Sequence, residues 1–272
     1  MSNSRHPRRG SLLGVGVSIT DYAEVTDCVI DAARTGESLA VAACAVHTVL
    51  EARRDPTFAA VLNSFDIVTP DGQPLRWGLR WTGQARLRDR VYGPWLTLDV
   101  CREAGAQGLP VFLTGGRAQV LDAMAHRLTE RIPSLSIAGT CAGRFRSLEP
   151  DEIEADAQQI LESGARIVFV GMGSPRQEWW IHHMRTRIAR PMIAVGAAFD
   201  FHAGLLAQAP PWMQQNGLEW LYRLGREPKR LWRRYLVLTP RYLPHIAAQA
   251  LGIREYPAPT DLAGADDRPC PG

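Results

Sequence analysis

Six short runs of apolar, often β-branched residues punctuate the chain, at 39–46, 66–70, 109–116, 135–140, 166–173 and 192–201. Several are nearly continuous in apolar residues rather than alternating, which is the pattern of strands covered on both faces of a parallel sheet. The segments between them, at roughly 45–63, 94–107, 117–132, 150–164 and 175–190, have helical length. Strands and helices alternating in this way predict a Rossmann-like, doubly wound α/β fold with a mainly parallel sheet and right-handed crossovers. Such sheets bind ligands beyond the carboxyl ends of their strands, so the residues just after each apolar run are the first functional candidates.

The pattern changes after Trp212. Residues 213–250 read as helical, rich in Arg and aromatic side chains and without a strand. They predict an appendage to an α/β domain spanning 12–212. The ends, 1–11 and 251–272, read as disordered; the second is rich in Pro, Ala, Gly and Asp.

Composition narrows the class. The chain has 272 residues, 46% of them apolar and 22% charged, with a net charge of +3. This is an ordinary globular profile, and its mild charge gives no reason to expect nucleic acid as a partner. Five cysteines, an odd number with no C-x-x-C pair, speak against a disulfide scaffold and fit a reducing compartment. No run approaches the roughly 20 apolar residues of a membrane helix, and no sustained apolar region follows the basic N-terminus. The expected location is the cytoplasmic side.

Four strand ends carry candidate chemistry. Thr69-Pro70-Asp71-Gly72 reads as a tight turn in which Pro presets φ and Gly admits positive φ. An aspartate there could serve as a general base. Thr114-Gly115-Gly116 precedes a helical segment, where small residues let a phosphate approach outward-facing amides. Gly171-Met172-Gly173-Ser174-Pro175-Arg176-Gln177-Glu178 combines a G-x-G loop with a predicted capping box, Ser174 at the N-cap and Gln177 at N3. It lacks the third glycine of a dinucleotide fingerprint. The stretch 195–204 closes on Gly204, and Asp200 within it reads as structural. His182 and His183 read as surface residues, and nothing in the spacing assigns His47 a role.

Between Arg223 and Arg241 stand seven basic residues (Arg223, Arg226, Lys229, Arg230, Arg233, Arg234, Arg241) and one acid, Glu227, interleaved with Trp and Tyr. A basic amphipathic segment of this kind suits an anionic membrane surface, and its Arg groups could equally clamp a diphosphate. The sequence contains no D-x-D, no G-x-x-x-x-G-K-[ST], no H-E-x-x-H and no G-x-S-x-G, so no metal site or other cofactor site is expected.

Taken in order, DIVTPDGQPL (66–75), RVYGPWL (90–96), VFLTGG (111–116), the stretch bearing Pro133, Gly139, Gly143 and Phe145, VGMGSPRQEWW (170–180), VGAAFDFHAG (195–204) and GLEWLYRLGREPKR (217–230) resemble the bacterial WecG/TagA/CpsF glycosyltransferases. The resemblance runs from about residue 12 to about residue 245. It implies an inverting, metal-independent transferase at the cytoplasmic membrane face. The enzyme would move a sugar from a UDP-sugar to a polyprenyl-diphosphate-linked saccharide in cell-surface polysaccharide assembly. It further implies Asp71 as catalytic base and Gln177 as a substrate-site residue. Thr69, Gly72, Arg90, Gly93 and Glu178 lie in the matching motifs and join the implied substrate site. Arg223, Arg230 and Arg233 correspond to the arginines of an appendage that closes over the site and meets the membrane. The family's T-x-N after the first strand is here Ala43-Cys44-Ala45, and Pro94-Trp95 stands where an Asp is frequent. These departures bear on the donor sugar: an N-acetylmannosamine type, its uronic acid, a hexose or a hexuronic acid. A homo-oligomer is compatible with the resemblance. Two other readings of the residues are a nucleotide-dependent oxidoreductase and a non-catalytic membrane-binding module.

Overall fold

The structure, a computed structural model, describes residues 6–210, 212–213 and 218–272, with the side chains of Arg230 and Arg234 outside the description. Residues 1–5, part of the start of the appendage and the side chain of Arg230 therefore lie outside the described residues, whereas residues 9–11, expected as disordered, pair in a strand (Arg9–Leu12).

All six apolar runs form strands of one parallel sheet. They are β3 (Leu39–Cys44), β4 (Ile67–Pro70), β5 (Val111–Thr114), β6 (Ile137–Cys141), β7 (Ile167–Val170) and β8 (Pro191–Ala194), in the order β4-β3-β8-β7-β5-β6. Before them, β1 (Arg9–Leu12) and β2 (Val15–Ser18) make an antiparallel hairpin that turns through Leu13 and Gly14, both at positive φ. Successive side chains of a strand point to opposite faces, and both faces here are covered. In β3, Ala40, Ala42 and Cys44 enter one core and Leu39 and Val41 the other.

The first core is closed by α2 (Val46–Arg54), α3 (Pro56–Asn63), α4 (Gln73–Trp81), α7 (Pro150–Glu162) and α8 (Arg176–Met184). The second is closed by α1 (Tyr22–Thr35), α5 (Gly93–Ala106), α6 (Ala118–Arg131) and α9 (Ala198–His202). This is the doubly wound, Rossmann-like arrangement that the alternation predicts.

The differences from the sequence reading are local. The expected helix 45–63 is two helices, because Asp55 accepts from the amides of Thr57 and Phe58 (3.1 and 3.2 Å) and restarts the helix ahead of Pro56. The expected strand 192–201 ends at Ala194; the chain turns at Gly196, φ 51°, and continues as α9. Helix α1 was not anticipated, although Asp21 caps its start and Gly36 (φ 74°) ends it. Nor was α4, because Pro70-Asp71-Gly72 reads as a turn between strands. Gly72 instead has extended backbone (φ −156°) and stands at the N-cap of α4, so positive φ plays no part there.

The C-terminal segment is helical as expected: α10 (Glu219–Arg226), α11 (Pro228–Trp232), a π-helical turn (Arg233–Leu238) and α12 (Thr239–Ala250). Its last helix belongs to the body, since Tyr242 and Ile246 are fully buried in the first core. Residues 251–272, expected as a disordered tail, are instead laid along the body without helix or strand. Phe145 donates its amide to the Gly272 carbonyl at 2.7 Å, Leu148 to that of Cys270 at 2.8 Å, and Ala265 and Cys270 are buried. His182, expected at the surface, is buried with Nε2 3.1 Å from Asp266 of this tail.

Helix α12 is seated on α4 at Gly78, where a Cβ would run into the Tyr242 hydroxyl and lie 3.2 Å from a Leu12 methyl. Gly78→Val therefore overpacks the joint and should cost about 1–3 kcal/mol. Thermal unfolding would read this as a fall of several degrees. Gly225→Ala, where nothing lies within 4 Å of the added methyl, should leave the midpoint within a degree or two or raise it slightly.

Candidate active site

The carboxyl ends of β3, β8, β7 and β5 open onto one cleft. Asp71 reaches it because β4 and β3 end together: its amide donates to the Cys44 carbonyl at 2.8 Å, and the Val91 amide donates to that of Pro70 at 3.1 Å. The first turn of α5 then passes close by. A Cβ on Gly93 would lie 3.6 Å from Asp71 Oδ2, 3.4 Å from Ala43 Cβ and 3.3 Å from the Val195 carbonyl. Glycine at that position allows a helix N-terminus to sit against the aspartate. Thr69 is fully buried, with its hydroxyl 3.5 Å from the Ala42 carbonyl and 3.4 Å from that of Val91, so it braces the Asp71 loop from behind.

Opposite Asp71, the loop after β7 delivers Gln177. The helix α8 starts one residue later than its sequence suggests, with Pro175 at the N-cap and no side-chain cap. Gln177 does not complete a box with Ser174. Its Oε1 accepts from the Gly173 amide at 3.2 Å, and its Nε2 donates to Glu178 Oε1 at 3.0 Å. Among the described residues a capping box stands instead at Glu149 and Glu152, at the start of α7. Glu178 is completely buried and stands behind Gln177 rather than on the cleft wall. Burial pushes its carboxyl up to about 7, against the pull of the Gln177 bond.

The third wall comes from the C-terminal segment. Arg90 and Glu219 form an ion pair in which both side chains are nearly out of water, 12% and 8% exposed. The guanidinium of Arg90 lies 4.4 Å from the centre of the Tyr92 ring. This anchors α10, and one turn on, Arg223 points into the cleft with its Cζ 5.2 Å from the centre of the Phe201 ring. Its Nε and Nη2 are buried and have no partner among the described residues. Burial opposes its charge, but Tyr235, Tyr92, Glu219 and Asp71 outweigh that and raise its pKa, so the guanidinium stays charged.

Asp71, Gln177, Gly173 and Arg223 thus line one inner pocket, which shares His47, Gly173, Gly196 and Arg223 with a larger chamber of about 680 Å³. Gly115, Gly116 and Gly171 line that chamber, together with Arg117 and Arg176. Gly115 has φ 93° and lies so close to Met172 that a Cβ would strike that side chain. It brings the chain to the start of α6, whose N-cap, Arg117, makes no side-chain cap bond. A helix N-terminus flanked by arginines is an anion site in both geometry and charge.

The structure therefore gathers Asp71, Gly93, Gln177, Arg223 and the glycines 115, 116, 171 and 173. Thr69, Gly72, Arg90 and Glu178 lie behind or beside the cleft and position it. Arg233 is exposed and stacked on Trp232, with Cζ 5.7 Å from the ring centre. Several lining residues escaped the sequence reading. Phe145 is 52% exposed at φ 57°, with Arg176 5.8 Å above its ring, and Asp200, which the sequence reads as structural, joins it on the chamber wall. Glu219 and Tyr92 were also missed. Only Glu219, an acid four residues ahead of the arginine-rich run, leaves a visible signal.

Glu178 carries a pH dependence of known sign. Its folded pKa exceeds the ordinary 4.5, so the folded state holds a proton that the unfolded chain has released. Stability should then fall as pH rises from about 4.5 through about 7 and stay low above it. Glu178→Gln keeps an acceptor for Gln177 and removes this titration. Its stability relative to the parent should rise across that window by up to about 3 kcal/mol, as read in urea melts at several pH values.

The comparison with known families agrees with this architecture. Residues 10–256 match the model of the glycosyl transferase WecG/TagA/CpsF family, which covers both the sheet and the arginine-bearing helices. That assignment displaces the oxidoreductase reading of the glycine loops. It also brings the coarse activity with it: sugar transfer in cell-surface polymer synthesis, from a sugar-nucleotide donor to a lipid-linked acceptor. The chain belongs to the WecG/TagA/CpsF family of glycosyltransferases.

Proposed function

We propose that the protein transfers a sugar from a UDP-sugar to a polyprenyl-diphosphate-linked saccharide with inversion, using Asp71 as the base and no metal. The observation that carries this reading is the meeting of Asp71 and the buried, partnerless donors of Arg223 in one pocket that opens into the glycine-lined chamber.

In this reading the donor occupies the chamber. Its nucleobase lies on Phe145, and its diphosphate faces the start of α6, Arg117 and Arg223. The acceptor enters beside Asp71, which takes the proton from its hydroxyl. The oxygen forms a bond to the anomeric carbon as the bond to the β-phosphate breaks, and the electron pair leaves with UDP. Charge grows on that leaving diphosphate, and Arg223 with the helix amides stabilises it where a metal would otherwise be needed. Donors already buried and without a hydrogen-bond partner among the described residues need little reorganisation to do so.

A lipid-linked acceptor brings the reaction to a bilayer. Trp212, Trp220, Trp232, Leu221 and Leu236 are exposed among the exposed cations Arg226, Lys229 and Arg233. This composition supports peripheral contact with an anionic membrane on its cytoplasmic face. No helix of the described residues is long and apolar enough to cross a membrane.

Acceptor-dependent UDP release, measured over a panel of UDP-sugars with EDTA present, tests the reaction class. Asp71→Asn should lower turnover about 10²- to 10⁴-fold while UDP binding, read by calorimetry, stays within a few-fold. Turnover close to the parent's would remove Asp71 from the base role. Arg223→Ala should cost about 10²- to 10³-fold in kcat through the lost charge stabilisation. If the parent releases no UDP from any donor, the transferase chemistry proposed for this cleft fails.

A further inference from the structure

The exposed aromatic residues are not confined to the C-terminal segment. Helix α4 starts directly after Asp71 and Gly72 and has two unlike faces. Leu75, Gly78 and Leu79 are buried against the body. On the outer face, Trp77 and Trp81 are 41% and 49% exposed, with ring centres 6.2 Å apart in a stacked arrangement. Arg80 lies beside them, and Arg86 and Arg88 follow in the next loop, all exposed. Between residues 73 and 90 the only acid is Asp89. Arg76, by contrast, is occupied, donating to the Leu87 carbonyl at 2.8 Å and to Gln73 Oε1 at 3.1 Å.

We infer that the outer face of α4 is a second lipid-contact surface, on the catalytic body itself, which seats Trp77 and Trp81 in the interface of an anionic bilayer. Two large apolar side chains held side by side in water at the tip of a short helix need a cover. Three exposed arginines around them, with a single acid, select an anionic one. Tryptophan carries an apolar body and an N–H, and it favours the boundary between headgroups and acyl chains, where arginine meets lipid phosphate. The neighbouring α12, joined to α4 at Gly78 and Tyr242, adds exposed Arg241 and Leu243 to the same region.

The placement has a consequence for the reaction. Gly72 caps α4, and Trp77 stands five residues on, which is roughly 8 Å along the helix axis. Docking α4 would therefore hold Asp71 close to the plane in which the diphosphate of a lipid-linked acceptor lies. This inference rests on the transferase reading for its purpose but not for its measurement.

Flotation of the full chain with phosphatidylcholine vesicles, with and without phosphatidylglycerol, tests it. Trp77→Ala/Trp81→Ala, and separately Arg80→Glu/Arg86→Glu/Arg88→Glu, should each weaken partitioning to the anionic vesicles about tenfold. UDP binding and turnover of a soluble, short-chain acceptor should stay unchanged. The charge-reversal variant touches only exposed side chains, so it keeps the test valid if the tryptophan variant folds poorly. Undiminished partitioning of both variants overturns the inference. So does a drop in oligomeric state by light scattering with vesicle binding intact, since the face would then cover a second copy of the chain. Loss of turnover on the soluble acceptor in the parent would strike at the transferase reading and leave the vesicle result standing.

Discussion

The ion pair between Arg90 and Glu219 is the joint on which the cleft depends. Residues 129 positions apart meet where water is nearly excluded, and Tyr92 and Phe201 pack around them. Removing water from two charges is expensive, and the pair is worth having only when its geometry is good; one partner left alone would be far worse than neither. Its service here is positional. By fixing the first turn of α10 it determines where the next turn points, and that turn carries Arg223. The acid of the pair cancels Arg90, so the positive charge that faces the cleft from this side belongs to Arg223.

The distribution of charge then follows from what each wall must do. On the β4 side stands a carboxylate, Asp71, close to the start of α5. On the other side, beyond the glycines, stand the start of α6 and the side chains of Arg117 and Arg176. In the proposed reaction, negative charge that develops on a departing diphosphate would meet helix amides and guanidinium groups, while a proton leaving the acceptor would meet a carboxylate. Gln177 lies between the two, held from behind by Glu178. Burial raises the Glu178 carboxyl to about 7, so it carries less negative charge behind the pocket than an ordinary carboxylate while it braces Gln177.

Much of this was legible in the sequence because a sheet buried on both faces needs apolar residues at every position, and six such runs stand out. The strand ends follow from the runs, so Asp71, Gly115, Gly116 and Gly173 could be found by position, whereas Gln177 enters the site through the family resemblance. What was hidden depends on tertiary contact. Helix α4 hid behind Pro70-Asp71-Gly72, whose composition satisfies a turn as well as a helix start. The Ser174 capping box was hidden in the other direction: the local pattern is right, but Gln177 spends its side chain on Gly173 and Glu178 instead. Phe145 reaches the chamber only through a loop whose path is set by its bond to Gly272 at the far end of the chain, and Asp200 only because the chain bends after Ala194 into α9. The closing strand overruns because Ala197, Ala198, Phe199 and Phe201 continue the apolar run, and Gly196 and Asp200 are what mark the bend into α9.

The two groups given the base and cation roles in the proposed reaction are each attached to an element that also presents tryptophan to the outside. Asp71 precedes α4, which carries Trp77 and Trp81; Arg223 lies on α10, which carries Trp220. These elements approach the cleft from separate parts of the chain, the first built into the body and the second tied to it by Arg90 and Glu219. A bilayer that engages both would fix the base and the cation relative to the same plane, and hence relative to each other. The chemistry gains from such a constraint because proton removal and leaving-group stabilisation must act together across one sugar, and small misplacements of either are costly. In solution the ion pair, with the packing of Arg223 on Phe201 and of Tyr242 in the core, holds that spacing. At a membrane, the acceptor's own lipid would complete the frame, so that the arrangement is tightest when a substrate is present to be used.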